Sequence, residues 1–330
     1  GKGDVRDLTV TGNQCTGKGY GVLMNDRETA GLVGSFGWVV SNNVFDGGGF
    51  QGDGIELNRP AVAAYDVTVT GNVVRGYAKS GEDSGFGIAA SNIAHLTISD
   101  NVVSDCERAG IHLEDDAAFV VISSNVVTGC GHAGIEAQVS SNFTMSDVVI
   151  TGNVVRGCCT APSNGLGKAG IDVAVFYTPD VGAANRMLVS GNLSSGNGGH
   201  GVYAYQANGS VFSSNICADN VGSGIYLTSC VAAAVFGNSC SDSRLQASKT
   251  QTYGLTTTGG DAAALYALNM LERNKLGRVD VSSSEQTHEA VNFVGDGLQV
   301  GSLMNTRLGF FGSSPTSRPG ERGRTASRPW

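Results

Sequence analysis

The chain has 330 residues, of which 49 are Gly; 41% are apolar and 15% are charged. Only 6 Pro and no Gly-X-Y period exclude collagen. The apolar fraction excludes a disordered chain, and no apolar run approaches the roughly 18 residues of a membrane span. A balance of 21 Lys+Arg against 29 Asp+Glu gives −8 with no basic run in the main body, which speaks against nucleic acid as a partner and fits plain solubility.

From the start of the chain one phrase recurs, apolar-x-apolar-x-x-Asn-x-apolar. It reads VTVTGNQC at Asn13, WVVSNNVF at Asn43, VTVTGNVV at Asn72, LTISDNVV at Asn101, VVISSNVV at Asn125, VVITGNVV at Asn153 and MLVSGNLS at Asn192. Weaker copies hold Asn215 and Asn238. The steps between these Asn are 30, 29, 29, 24, 28, 39, 23 and 23, a base unit near 23 with insertions. A second phrase follows each Asn: Gly, then Ile, Val or Leu, then alternation, as in DGIELN, AGIHLE, AGIEAQ, AGIDVA, HGVYAY and SGIYLT. The residue after the Gly lies 10 positions past the Asn at Ile111, Ile135, Val202 and Ile225, and further where insertions at 76–86, 157–169 and 241–253 intervene. The segment Asp261 to Lys275 has helix formers and an Asp N-cap, but continuing the spacing gives Asn269, Val279 and Asn292, so it reads as a further rung.

Period-2 alternation, two strand phrases per unit and Gly or Asn at the bends describe an all-β fold, a single-stranded parallel β-helix of about eleven rungs and about 50 Å. Residues 1–304 form it, and 305–330 form a polar, partly disordered tail. Gly1 opens no signal-peptide pattern and no cap for the helix, as in a fragment. The Asn column reads as a structural ladder. Of the 8 Cys, three lie five residues after an Asn (Cys106, Cys130, Cys158) and three lie two after, at a Val-type position (Cys15, Cys217, Cys240). They read as reduced fillers of the stack, compatible with assembly in a cytoplasm; the neighbours Cys158 and Cys159 have no account at this level.

In the second phrase the Ile or Val points inward, so its neighbours point outward in two columns. The first contains Glu56, His112, Glu136, Asp172, Tyr203 and Tyr226; the second contains Asn58, Glu114, Gln138 and Tyr205. Arg108, His132 and Lys168 precede the Ile by three, and His200 precedes its Val by two. Tyr faces stack on sugar rings, while carboxylates and amides bind hydroxyls. Glu114, Glu136 and Asp172 are the candidate acids, with Arg108, His112, His132 and Lys168 to position groups or carry protons. Glu56, Asn58, Gln138, His200, Tyr203, Tyr205 and Tyr226 are the candidate substrate contacts. Glu136 and Asp172 on adjacent rungs fit the roughly 5 Å of a retaining glycosidase, and Glu114 and Asp172 the wider inverting spacing. A uronide lyase would use His132 or Lys168 as base. The same charges can also form ordinary cross-rung ion pairs on a solvated face. The insertions open the same bend and are expected to wall a groove beside these columns. Asp53 and the run Glu114-Asp115-Asp116 offer oxygens to Ca²⁺ without a calcium-loop spacing and read as loop acids, so no cofactor is expected. The sequons at Asn142, Asn192 and Asn208 read as incidental.

Over about residues 4–300 these repeats resemble the right-handed parallel β-helix superfamily that includes pectate lyases, polysaccharide epimerases and phage tailspikes. The likeness is specific for fold. The YGFDPH-type motif of mannuronan epimerases is absent, so no catalytic residue is transferred. The piece NTRLGFFG at 305–312, followed by SSPTSRP, resembles a segment common near the end of phage and prophage tail-fibre proteins. The resemblance implies a tailspike-like protein that binds and cleaves a polysaccharide or cell-surface glycan, located in a virion tail or outside the cell, and assembled as a homotrimer. The alternatives are a non-catalytic glycan-binding or structural tail module, and a uronide lyase or epimerase.

Overall fold

The computed structural model describes residues 5–17, 19–25, 35–58, 64–80, 84–140, 142–162, 167–175, 183–259, 262–281, 286–289, 292–294 and 297–299. The expected tail at 305–330, with its NTRLGFFG piece, lies outside the described residues. Among the described residues each coil but the last contributes one strand to each of three sheets, and successive coils pair in parallel. The first sheet carries the residues before each ladder Asn, the second those just after it, and the third the Gly-Ile/Val phrase. At the far end Asn292–Val294 pairs antiparallel with Gly297–Gln299. The main paths of the first and second sheets run through eleven parallel strands, matching the eleven units of the spacing. No helix among the described residues is long and apolar enough to cross a membrane.

Three strands per coil, where the sequence suggests two, have a local cause. The residue before each Asn turns left-handed, at Gly12, Asn42, Gly71, Asp100, Ser124, Gly152, Gly191, Ser214, Gly237 and Leu268, with φ between 54° and 69°. That single residue breaks the first phrase into two strands. Only half of the column is Gly, so composition conceals the corner. The Gly of the second phrase does different work: a Cβ on Gly134 would stand 2.3 Å from Val155 Cγ1, so there the second and third sheets touch too closely for any side chain.

The Asn ladder forms as expected. Asn153 Oδ1 accepts from Asn125 N at 2.9 Å and Asn125 Nδ2 at 3.0 Å, while Asn153 Nδ2 donates to Ile122 O at 2.9 Å. The pattern repeats from Asn43 to Asn269, each of these amides buried, so the polar corner is satisfied from within. The segment around Asn269 is indeed a rung, with strands Ala262–Ala267 and Met270–Glu272. Tyr266 and Leu271 are buried there and Leu268 is left-handed, which a helix could not accommodate.

All eight cysteines are free. Cys106, Cys130 and Cys158 are buried in one column, each thiol donating to a carbonyl two residues back. The column continues through Asn197, Asn220, Gln251 and Asn274, a second amide ladder that the same five-residue spacing would have revealed at three of its four members. Cys159 turns left-handed at φ 60° and its thiol donates to Ala169 O at 2.8 Å, which accounts for the vicinal pair. Cys15 departs from the expected filler role: it is exposed in the first coil.

Candidate functional site

The third sheet sets the site in the expected register. Ile111, Ile135 and Ile171 align, and the column beside them runs Ala89, His112, Glu136, Asp172, Tyr203, Tyr226, Thr256. Glu114 pairs with Gln138 in the neighbouring column.

The expected solvated groove is not what covers these residues. Arg108, His112, His132, Glu136, Gln138 and Asp172 are all buried, Glu136 completely. The end of the insertion, at Gly85 and Phe86, folds over the sheet instead of beside it. Asp53 Oδ1 accepts from Gly85 N at 2.8 Å and Phe86 N at 2.9 Å, which pins Phe86 so that its ring stacks on His112 with centroids 4.1 Å apart. Arg108 lies over the other part of that cover, 5.4 Å from the Phe86 centroid. From the insertion at 157–169, Ala161 N reaches Gly131 O at 2.9 Å and Lys168 N donates to Asp172 Oδ2 at 2.9 Å. Phe86 and Asp53 were not singled out as site residues of this kind, because a capping aromatic from an insertion follows no period.

Inside the cover the charges are arranged asymmetrically. His112 Nδ1 lies 3.0 Å from Glu136 Oε2 and its Nε2 lies 3.4 Å from Glu114 Oε2. Burial opposes charging the imidazole, but the bonds to Glu114 and Glu136 prevail and raise it to about 10. Burial likewise opposes charge on Glu136, yet the His112 bond and charge hold that carboxyl below its usual value. Asp172 moves the other way: burial first, then the Glu136 charge, push it up to about 7. Glu136 Oε1 and Asp172 Oδ1 are buried without a hydrogen-bond partner. At Asp53, burial raises the carboxyl to about 6.

Beyond Asp172 the column stays buried at Tyr203 and opens at Tyr226. Tyr203 and Tyr226 stack with centroids 5.6 Å apart, and His200 lies 4.6 Å from Tyr226. Tyr205 and Tyr226 are half-buried. Lys168 Nζ is 3.2 Å from the Tyr203 hydroxyl and 4.6 Å from the ring centroid. His200 Nδ1 accepts from Ser223 N at 2.8 Å, so the neutral ring carries its proton on Nε2. Burial, then Lys168, lower it to about 4. Glu56 is half-buried on an early coil, and the side chain of Asn58 lies outside the described residues.

The acids considered for Ca²⁺ are occupied by the chain itself. Besides Asp53, Asp115 accepts from Ser140 N at 3.0 Å and Asp116 from Thr144 N at 2.8 Å. Among the described residues no group of three His, Cys, Asp or Glu could hold a metal ion.

Known proteins bear on the fold. The family described as "Right handed beta helix region" matches residues 2–174 and 180–269. No curated protein matches the chain. Among solved structures, the A-module of the Azotobacter vinelandii mannuronan C-5 epimerase AlgE4 is similar with a TM-score of 0.50 and 18% identity, over 86% of this chain and 80% of that one. Tailspike protein 2 of bacteriophage CBA120, in its enzymatically active domain, gives 0.54 and 12% over 86% of this chain, but this match spans only 43% of that one. The N-terminal fragment of gene product 12 of bacteriophage Phi29 gives 0.56 and 13%, over 88% and 55%. The eleven-coil parallel stack and the family match over most of its length agree, and the chain belongs to the right-handed β-helix family.

Proposed function

We propose that this protein is a tailspike-like polysaccharide-binding and depolymerising β-helix acting through its third sheet. The observation that carries the reading is the pair Glu136 and Asp172, in register on adjacent coils with proton affinities driven apart, Asp172 to about 7 and Glu136 below its usual value. One coil of separation, about 5 Å, matches the carboxyl spacing of a retaining glycosidase. Asp172 would be the proton donor and Glu136 the anionic partner, with His112 and Glu114 holding Glu136 charged. Tyr203, Tyr205 and Tyr226 would supply the sugar platform, with His200 Nε2–H and Lys168 as donors to hydroxyls or carboxylates. Arg108, His132, Gln138, Glu56 and Asn58 would line and order the same face. The likeness in fold to a phage tailspike supports the wider setting: a virion tail or an extracellular location, with assembly in the cytoplasm as a homotrimer.

A second reading, a non-catalytic glycan-binding or structural module, is favoured by the complete burial of Glu136. One experiment separates the two. Wild type, Asp172→Asn and Glu136→Gln are incubated with a panel of polysaccharides, reading reducing ends, ultraviolet absorbance of unsaturated product, and binding. The first reading expects new reducing ends without unsaturation, and a loss of about 100-fold or more in Asp172→Asn with binding kept. Binding without cleavage by the parent supports the second. Unsaturated product would instead assign a uronide lyase with His132 or Lys168 as base.

A further inference from the structure

We propose that a cavity of about 160 Å³ in the first coils is a second binding site, one that takes a single hydroxylated six-membered ring, a pyranose unit. It is lined by Cys15, Thr16, Tyr20, Asp46 and Tyr77 and uses none of the third-sheet residues discussed above. It therefore stands whether or not the chain cleaves a polysaccharide.

Tyr77 points to a ligand. Its side chain is only 2% exposed, yet it lines the cavity and makes no hydrogen bond among the described residues. The ring cannot withdraw, because it packs onto the backbone: a Cβ on Gly47 or Gly54 would come within 2.9 Å of it. Its hydroxyl is not among the polar atoms sealed from solvent without a partner, so it is open to a bond from what fills the cavity. Tyr20, 39% exposed, supplies an aromatic wall that Phe50 braces edge-on, with centroids 5.4 Å apart. Asp46 accepts from Gly48 N at 3.1 Å and from Arg75 Nε at 3.0 Å, and each oxygen keeps acceptor capacity for a hydroxyl.

Size and polarity then select the ligand. A cavity of roughly 150 Å³ holds one benzene-sized ring. An apolar ring would leave the Tyr77 hydroxyl unbonded, at the cost of a buried donor. The Arg75 guanidinium already balances Asp46, so the site has no call for a cation. A ring with C–H faces for Tyr20 and hydroxyls for Tyr77, Thr16 and Asp46 meets every group present.

Cys15 provides the assay, because the other seven thiols are buried. An uncharged maleimide applied to the native chain should modify one thiol quickly. Its rate is measured with increasing glucose, galactose, mannose or N-acetylglucosamine, with glycerol as the acyclic control. The expected result is saturable protection by at least one pyranose, about threefold when the sugar stands at twice its Kd. Protection should be lost in Tyr77→Phe and Tyr20→Ala, which keep one fast thiol and so report their own folding. The proposal is overturned if no sugar protects, if glycerol protects equally, or if protection survives Tyr77→Phe.

Discussion

Asp172 shows how one buried atom sets a pH response. Its carboxyl is raised to about 7 by burial and by Glu136, so the folded chain favours its protonated form. Between the ordinary carboxylate value and about 7 the unfolded chain has lost this proton while the folded chain keeps it. The contribution of Asp172 to stability therefore falls as pH rises through that window, and stays level above it. Asp172→Asn removes the titration. In urea titrations at successive pH values, the variant should gain on wild type steadily from pH about 4 to about 7 and hold a constant lead above. A difference independent of pH would mean that Asp172 is ionised throughout. Glu136 behaves oppositely: its lowered carboxyl contributes stability that is lost as acid protonates it, whereas the raised His112 follows Asp172 in sign, its contribution full below the ordinary imidazole value and lost as pH rises to about 10. The columns that carry these residues were legible from spacing alone, because an alternating strand in fixed register leaves no freedom in which coil faces which. Their burial was not legible. For His112 it comes with Phe86, an aromatic in an insertion, which lands on the imidazole and is held there by two backbone bonds to Asp53.

At the level of the strand, glycine serves two separate ends. Before the ladder Asn it is one of several residues that accept a left-handed turn, and Ser124 and Leu268 do the same. Before the Ile or Val of the third sheet it is required by space. Gly134→Ala should destabilise by about 1–3 kcal/mol through overpacking. Its nearest obstacle is Val155 Cγ1, with the Gly170 carbonyl at 3.1 Å. Trimming that side chain in Gly134→Ala/Val155→Ala should therefore cost less than the sum of the two single changes. Chemical denaturation of the four proteins gives the coupling, and strict additivity would mean that the two residues do not meet. The corner before the Asn was hidden for a related reason. A turn built from Gly, Asn, Asp, Ser and Leu in the same column has no compositional signature, so two strands read as one phrase.

Over the whole molecule, stability comes from stacking without covalent ties. Reducing agent should leave the thermal midpoint of the chain unchanged, a direct check by scanning fluorimetry on the absence of any disulfide among the eight cysteines. A drop in midpoint would require a bond that the structure lacks. The column that begins as thiols and continues as amides has a further consequence. Near-identical coils invite mis-stacking, in which one turn skips its neighbour and settles on the next. At the change of chemistry, Cys158 N is met by Asn197 Oδ1 at 2.9 Å, and Asn197 hands its own amide to Asn220. Within Cys106 to Asn274 a skip among the amides would still find an amide and a skip among the thiols would still find a thiol; across this junction a displaced turn meets the wrong partner. The seam thus works as an address on an otherwise repetitive rod, giving the growing stack one place where its count can be checked.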